Sequence, residues 1–342
     1  MSIASRRGRS LATAVLVVAV LAAACGDATS PEASTWWQAS DGGFPVTIDH
    51  KYGSTAIDAP PERIVTVGLT DHDALLALGV VPVGVTEWFG EHPSATWSWA
   101  QDELGDGRSE VVGDSNAINF ERIAGLRPDA IVALYAGLAE QEYETLSQIA
   151  PTVAQPGEYA DYGIPWQELT RAAGRIVGKP ERADELVARV EARFAEARAE
   201  HPEFEGATGL VATPYAGSVS VFAPEDPRGR FLADLGFVQP ARIAELAGDE
   251  FSADLSLEQT DLIDVDALVW IVNSVDTDRP RIEAEALYQQ LEVAREGRAA
   301  FVENLAPLGG ALSFVSVLSL PLLLDELIPM LDAAVDGDPA TR

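Results

Sequence analysis

Residues 60–85 read PPERIVTVGLTDHDALLALGVVPVGV, and the order of apolar and polar positions there decides the fold. Ile64-Val65-Thr66-Val67 is a short apolar run, the pattern of a strand buried on both faces. Asp71 then marks a helix start ahead of Ala74-Leu75-Leu76-Ala77-Leu78, and Gly79 closes that helix. Val80 to Val85 supplies the next strand. Strand, helix, strand at this spacing predicts a parallel sheet, because parallel neighbours need a crossover and a helix provides it.

A related unit occurs twice downstream. Residues 119–134 read NFERIAGLRPDAIVAL and residues 256–271 read SLEQTDLIDVDALVWI. Each begins with a helix-capping residue, places Glu third (Glu121, Glu258), and places Asp-Ala eight residues later before a buried strand. A second pair precedes them: Leu75-Leu76-Ala77-Leu78-Gly79 matches Leu232-Ala233-Asp234-Leu235-Gly236. Two copies are too few for a solenoid and predict two similar α/β lobes. Between them, Trp166 to Val177 and Pro180 to Glu200 carry the longest helical pattern, with Leu186, Val190 and Phe194 at helical spacing. A helix of ~20 residues spans ~30 Å, so the connector is expected to be stiff. Ahead of the first lobe, Val46 to His50 alternates and Gly53 offers a turn, predicting a hairpin over Phe44 to Ile57.

Further upstream, Leu11 to Ala24 is an uncharged, mostly apolar run behind Arg6, Arg7 and Arg9, the layout of a secretory signal peptide. Leu21-Ala22-Ala23-Ala24-Cys25 resembles a bacterial lipobox, with Ala22 where that box usually has leucine. The chain's single cysteine is then the expected lipidation site, and Gly26 to Pro31 reads as a tether. An ordinary signal peptide with an incidental cysteine and an uncleaved anchor stay open, as does twin-arginine export through Arg6-Arg7. The expected layout is a signal peptide over 1–24, a lipidated tether over 25–45 and an N-terminal lobe over 46–160. A helical connector over 161–202, a C-terminal lobe over 203–336 and a tail over 337–342 complete it.

Hydrophobic residues make up 47% of the 342 and the formal charge is -31. Such acidity argues against nucleic-acid binding, since no basic stripe meets phosphates. With one cysteine, no intramolecular disulfide, thiolate zinc site or iron–sulfur cluster can form. The four histidines (His50, His72, His92, His201) include no i,i+4 pair, which argues against a direct receptor for a bare metal ion. His72 opens a helix at the expected cleft, where it could touch a ligand, bind haem iron or serve structure alone. Gly174 to Lys179 is one residue short of a P-loop, and no nucleophile elbow, zinc-protease motif or dinucleotide fingerprint occurs. A secreted hydrolase or a chelate-processing reductase is the alternative of another class.

Several ordered blocks resemble one known family. They are Pro61 to Gly68 with Leu76 to Val85, Leu126-Arg127-Pro128-Asp129, and Tyr143-Glu144-Thr145-Leu146 leading to Ile149 to Val153. Ser256 to Gln259, Gly297 to Val302 and a terminal helix over Leu318 to Leu331 continue the series. Together they are similar to the periplasmic-binding-protein family of iron–siderophore ABC importers, over about residues 60 to 335. The resemblance implies a class III substrate-binding protein: two Rossmann-like lobes with central parallel sheets, one rigid joining helix, and a ligand cleft between lobes. It implies no catalysis, no resident cofactor, a ferric siderophore as ligand, an ABC permease as partner, and a monomer lipid-anchored to the outer face of the cell membrane. Haem and corrinoids are alternative cargoes of the same architecture. Glu121 and Glu258 match the positions at which this family presents one carboxylate per lobe to the permease, although each also suits a helix's first turn.

In open α/β sheets, ligands sit beyond the carboxyl ends of the strands. That rule selects the segments 69–72, 87–99, 135–141, 215–218, 227–230, 273–276 and 312–314. A bulky ferric chelate calls for aromatic walls and a few donors. Trp88, Trp97, Trp99, Tyr135 and Tyr215 are the expected walls, with Arg228 and Arg230 as donors. Either arginine could instead pair with Glu225 or Asp226.

Overall fold

Strict alternation along the central strands sets the layers of the computed structural model, which describes residues 36–40, 43–215 and 217–338. Cys25, the signal segment and the first part of the tether lie outside the described residues. The chain opens with β1 (Trp37–Ser40), β2 (Gly43–His50) and β3 (Gly53–Ile57), a three-stranded antiparallel sheet. Trp36 is buried in the main core. Residues 36–40 and 43–45 are thus part of the folded body, correcting the expected tether, which ran to residue 45. The hairpin over β2 and β3 lies where alternation placed it.

The first lobe is built on β4 (Ile64–Thr66), β5 (Gly84–Glu87), β6 (Glu110–Asp114), β7 (Ala117–Ile118), β8 (Ala130–Ala133) and β9 (Thr152–Ala154). They form a sheet of order β7-β6-β5-β4-β8-β9, parallel except for β7. Its helices are α1 (Asp71–Ala77), α2 (Gln101–Leu104), α3 (Phe120–Leu126) and α4 (Glu140–Ser147). β5 begins four residues later than the sequence predicts. Gly79 turns at φ 69° and Pro82 has no N–H for a ladder, so pairing starts at Gly84.

Two helices follow, α5 (Trp166–Ile176) and α6 (Pro180–Glu200), separated by Gly178 at φ 70°. α6 buries Ala183, Leu186, Val187, Val190, Phe194 and Ala197 along one stripe. The second lobe holds β10 (Gly209–Tyr215), β11 (Ser218–Phe222), α7 (Pro227–Asp234), α8 (Ala241–Ala247), β12 (Ser252–Leu255) and β13 (Ala267–Val272). It continues with α9 (Val275–Glu283), α10 (Glu292–Arg295), β14 (Ala299–Glu303), α11 (Pro307–Phe314), α12 (Leu320–Glu326) and α13 (Ile328–Val335). Sheet order is β12-β11-β10-β13-β14. β10, β13 and β14 pair parallel, whereas β11 alone runs against them and pairs antiparallel with both β10 and β12, so the central parallel strands of this lobe carry an antiparallel edge and the sheet is mixed. The predicted terminal helix is two helices, because Pro329 cannot donate to the carbonyl of Asp325.

The repeated Asp-Ala has a matched structural role. Asp129 accepts the N–H groups of Glu62 (2.8 Å) and Arg63 (2.9 Å) just before β4. Asp266 accepts the N–H and the hydroxyl of Thr208, both at 2.8 Å, just before β10. Each carboxylate clamps the start of the neighbouring parallel strand, where the ladder leaves N–H groups unpaired.

One core runs through both lobes. Ala130, Val132 and Leu134 of the first lobe and Ala267, Val269 and Ile271 of the second point into it, together with the buried stripes of α5, α6 and α12. The intervening residues Ile131 and Ala133 face a separate outer core, as do Leu268, Trp270 and Val272 in the other lobe. Shared burial, rather than α6 alone, holds the lobes in place.

Candidate functional site

The loops that leave the carboxyl ends of β4, β5 and β8 meet α7 and α11 between the lobes. Asp71 organises the first-lobe side. Its Oδ2 and Oδ1 accept the N–H groups of Leu134 (2.8 Å) and Tyr135 (2.9 Å), joining the end of β8 to the start of α1. Burial pushes its pKa up to about 6, against the opposing pull of those N–H donors. Gly68 is required beside it, since a Cβ there would lie 2.1 Å from Asp71 Oδ2. Asp71 thus serves strand ends, whereas its position in the sequence suggested a helix cap.

Asp73 ties the lobes together. Its buried carboxylate accepts Trp99 Nε1 at 2.8 Å and the hydroxyl of Ser316, which follows α11. Burial raises its pKa. His72 is fully buried with Nε2 3.7 Å from Asp73 Oδ1, and neither ring nitrogen has a hydrogen-bond partner among the described residues. Burial lowers its pKa and favours the neutral ring. Its edge meets Phe314 at 5.9 Å.

Phe314 is the centre of an aromatic block. Ring centroids of Trp88 and Trp99 lie 5.3 Å from it, Phe89 5.9 Å and Trp97 6.1 Å. Trp97 stacks on Trp99 at 5.0 Å with planes 7° apart, and it is only 2% exposed. Gly310 lets α11 approach that ring, as a Cβ there would sit 2.6 Å from it. Trp88 continues to Tyr135 (6.1 Å), and Tyr135 to Tyr162 (5.6 Å). Trp88, Trp99 and Tyr162 remain half-buried, while Tyr135 is buried.

Three cavities border this block. One lies between the lobes and is lined by Thr70, Tyr135, Ile164, Arg230, Phe314 and Val317 among others. The second belongs to the first lobe, with Leu69, Thr86, Asp114, Gly137, Glu142 and Tyr162. The third belongs to the second lobe, with Thr213, Arg228, Asn273, Asn304 and Ser313. The segments chosen from strand ends therefore converge, and Trp88, Trp97, Trp99 and Tyr135 share one cluster. The backbone of Tyr215 ends β10 at the same edge; its side chain lies outside the described residues.

The two arginines are both engaged. Arg228 Nε and Nη2 donate to Asp226 at 2.6 and 2.7 Å, and its guanidinium lies 3.7 Å over the Phe222 ring. Both members of that pair are buried. Burial opposes the charged guanidinium, but the Asp226 carboxylate outweighs it and holds the pKa of Arg228 above its usual value. Arg230 Nη2 donates to Glu225 at 2.9 Å, and Nη1 donates to the carbonyl of Gly163. Glu121 and Glu258 are exposed near the starts of α3 and of a 3-10 helix over Leu257–Ile263, and neither makes an ion pair among the described residues.

Sequence reasoning missed the turn at 114–117, Tyr162, Asn304 and the pivotal place of Phe314. The last was within reach, as Phe314 is the one aromatic in the strand-end segment 312–314. The turn belongs to a short antiparallel hairpin and Tyr162 to the loop before α5, which strand-helix periodicity does not mark, while Asn304 directly follows β14 at a strand end. Away from the cleft, His201 Nδ1 faces Glu203 (2.9 Å) and Asp332 (3.4 Å), a pairing across α6 and α13 that spacing alone did not reveal.

The family model described as periplasmic binding protein matches residues 64–304. A periplasmic solute binding protein from Mycobacterium smegmatis has a crystal structure 36% identical to this chain, with a TM-score of 0.76 over 86% of this chain and 100% of that one. The protein named probable siderophore-binding lipoprotein YfiY of Bacillus subtilis is 27% identical over 271 residues, 75% of this chain and 80% of its own length. PiaA of Streptococcus pneumoniae, solved in complex with ferrichrome, is 26% identical with a TM-score of 0.75, covering 85% of this chain and 99% of that one.

Proposed function

This chain belongs to the periplasmic binding protein family, in its class III form of two α/β lobes on one long helix, and we propose that it captures a ferric siderophore for an ABC importer. The inter-lobe aromatic cluster carries this reading: Tyr135 and Phe314 line the cavity between the lobes, Tyr162 lines the adjoining first-lobe cavity, and Trp88 packs against Tyr135 and Phe314. Aromatic faces suit the organic scaffold of a chelate, and neighbouring polar groups orient it. Relatives named for siderophore binding, aligned over most of their length, support the same cargo. The iron arrives already wrapped by its chelator, so the binding chain supplies shape and hydrogen bonds, with no catalytic step.

Cys25, acylated after signal cleavage, would hold the monomer at the outer face of the cell membrane; more than one acyl chain is needed for a stable anchor. Glu121 and Glu258, one exposed carboxylate per lobe, would register the loaded protein on permease cations. Such pairs govern encounter and orientation more than raw affinity.

Tryptophan fluorescence titration with ferric siderophores, haem and cobalamin tests the cargo. Saturable quenching by a ferric siderophore at micromolar concentration is expected. Quenching by haem or cobalamin alone would reassign the cargo, and no response to any ferric siderophore would remove the proposal.

A further inference from the structure

The charge inside the cleft limits which ferric complexes can enter. Arg228 and Arg230 are the only cationic side chains lining the three cavities between and beside the aromatic wall, among the described residues. Arg228 is neutralised by a bidentate, buried pair with Asp226, which itself caps α7 by accepting the N–H of Arg228 at 2.9 Å. Withdrawing it toward a ligand would leave a buried carboxylate unpaired, a strongly unfavourable state. Arg230 is held by Glu225 and Gly163. The opposite wall presents Asp114 and Glu142 with no basic side chain among that cavity's lining. Even if Arg230, the one charged residue lining the inter-lobe cavity, leaves the exposed Glu225, Arg228 stays cancelled by Asp226, and Asp114 and Glu142 outweigh Arg230 by one charge. The whole chain, at -31, adds a field of the same sign.

Resting on the siderophore reading, we infer that the cargo is a neutral or monocationic ferric chelate of the tris-hydroxamate class, and that polyanionic catecholate or hydroxycarboxylate complexes are excluded. Ferric iron bound by monoanionic hydroxamates leaves no net charge, and a free amine on the scaffold makes the complex cationic. Catecholates each bring two charges and leave a trianion. The aromatic rings that line the cavities, Tyr135 and Phe314 between the lobes and Tyr162 beside them, reinforce the choice, because aromatic faces attract cationic groups and repel anionic ones. A site selective for anionic chelates would need unpaired guanidinium groups, and here their charge is already spent on Asp226 and Glu225.

Equilibrium titration of the full exported chain with ferrichrome (neutral), ferrioxamine B (monocationic) and ferric enterobactin (trianionic) tests this. At least one of the first two is expected to bind ~100-fold or more tighter than the trianion, the size of a few charge contacts in a partly desolvated cleft. The double substitution Glu225→Gln, Asp114→Asn, both at exposed positions, is expected to narrow that ratio about tenfold. Equal or tighter binding of the trianion overturns the charge class while leaving the capture reading intact. An unchanged ratio in the double variant overturns its electrostatic origin. If none of the three complexes binds, the capture reading falls and this inference with it.

Discussion

Asp71 shows how one buried carboxylate can fix the floor of a binding cleft. It stands at the first position of α1, yet its oxygens accept N–H groups from Leu134 and Tyr135 at the end of β8. A sequence reader sees only an acidic residue before an apolar helix, because the partners lie more than 60 positions away. Gly68→Ala is expected to destabilise the fold by roughly 2–4 kcal/mol, as the new methyl would overlap the Asp71 carboxylate. Urea unfolding would measure that loss. The raised pKa of Asp71, about 6 against 3.8, also carries a sign. The folded state holds the proton more tightly, so this stabilisation is fully present below pH ~4 and lost as pH rises through ~6. The stability of the wild type minus that of Asp71→Asn should therefore fall between pH 4 and 6.5. A constant difference across that window would show that Asp71 does not titrate as described.

At the scale of elements, most of the architecture was legible. The apolar stripe of α6 and the repeated Glu-to-Asp-Ala units announced two lobes and a connector, and Asp129 and Asp266 show why the repeat exists: both clamp strand starts. What periodicity could not show was pairing direction. β11 and β12 carry ordinary strand residues, and only the antiparallel run of β11 between β10 and β12 makes the second sheet mixed. Likewise, Pro329 inside an otherwise continuous apolar helix pattern divides α12 from α13. Phe194 is 3% exposed on α6 and meets Phe231 of α7 edge-on at 5.7 Å. Phe194→Ala is expected to cost ~3–5 kcal/mol and to lower the unfolding midpoint without changing the slope with denaturant. A changed slope would mean that the lobes unfold separately, contrary to a core shared between them.

For the molecule as a whole, the cleft was located by strand ends but its chemistry was not. The sequence leaves Arg228 and Arg230 open as ligand donors or as partners of Glu225 and Asp226; the folded chain pairs Arg228 with Asp226 and Arg230 with Glu225. It offers the tryptophans as separate loop residues, whereas Phe314 from the other lobe gathers them into one wall. Glu121 and Glu258 remain exposed; Glu258 lines none of the cavities, and Glu121 lines an outer one with Glu87 and Arg122 that adjoins the first-lobe cavity at Asp114. Replacing both by alanine is expected to leave ligand affinity within about twofold while abolishing uptake by cells. Lost affinity in the purified variant would place them in the cleft instead. The central claim, capture of a ferric siderophore against the inter-lobe aromatic wall, is tested most directly by calorimetric titration of the wild type beside Trp88→Ala. Saturable one-to-one binding by the wild type is expected, with at least ~tenfold weaker binding by the variant, the loss that follows from one aromatic contact. Equal affinity in the two proteins, or no heat of binding in either, would contradict it.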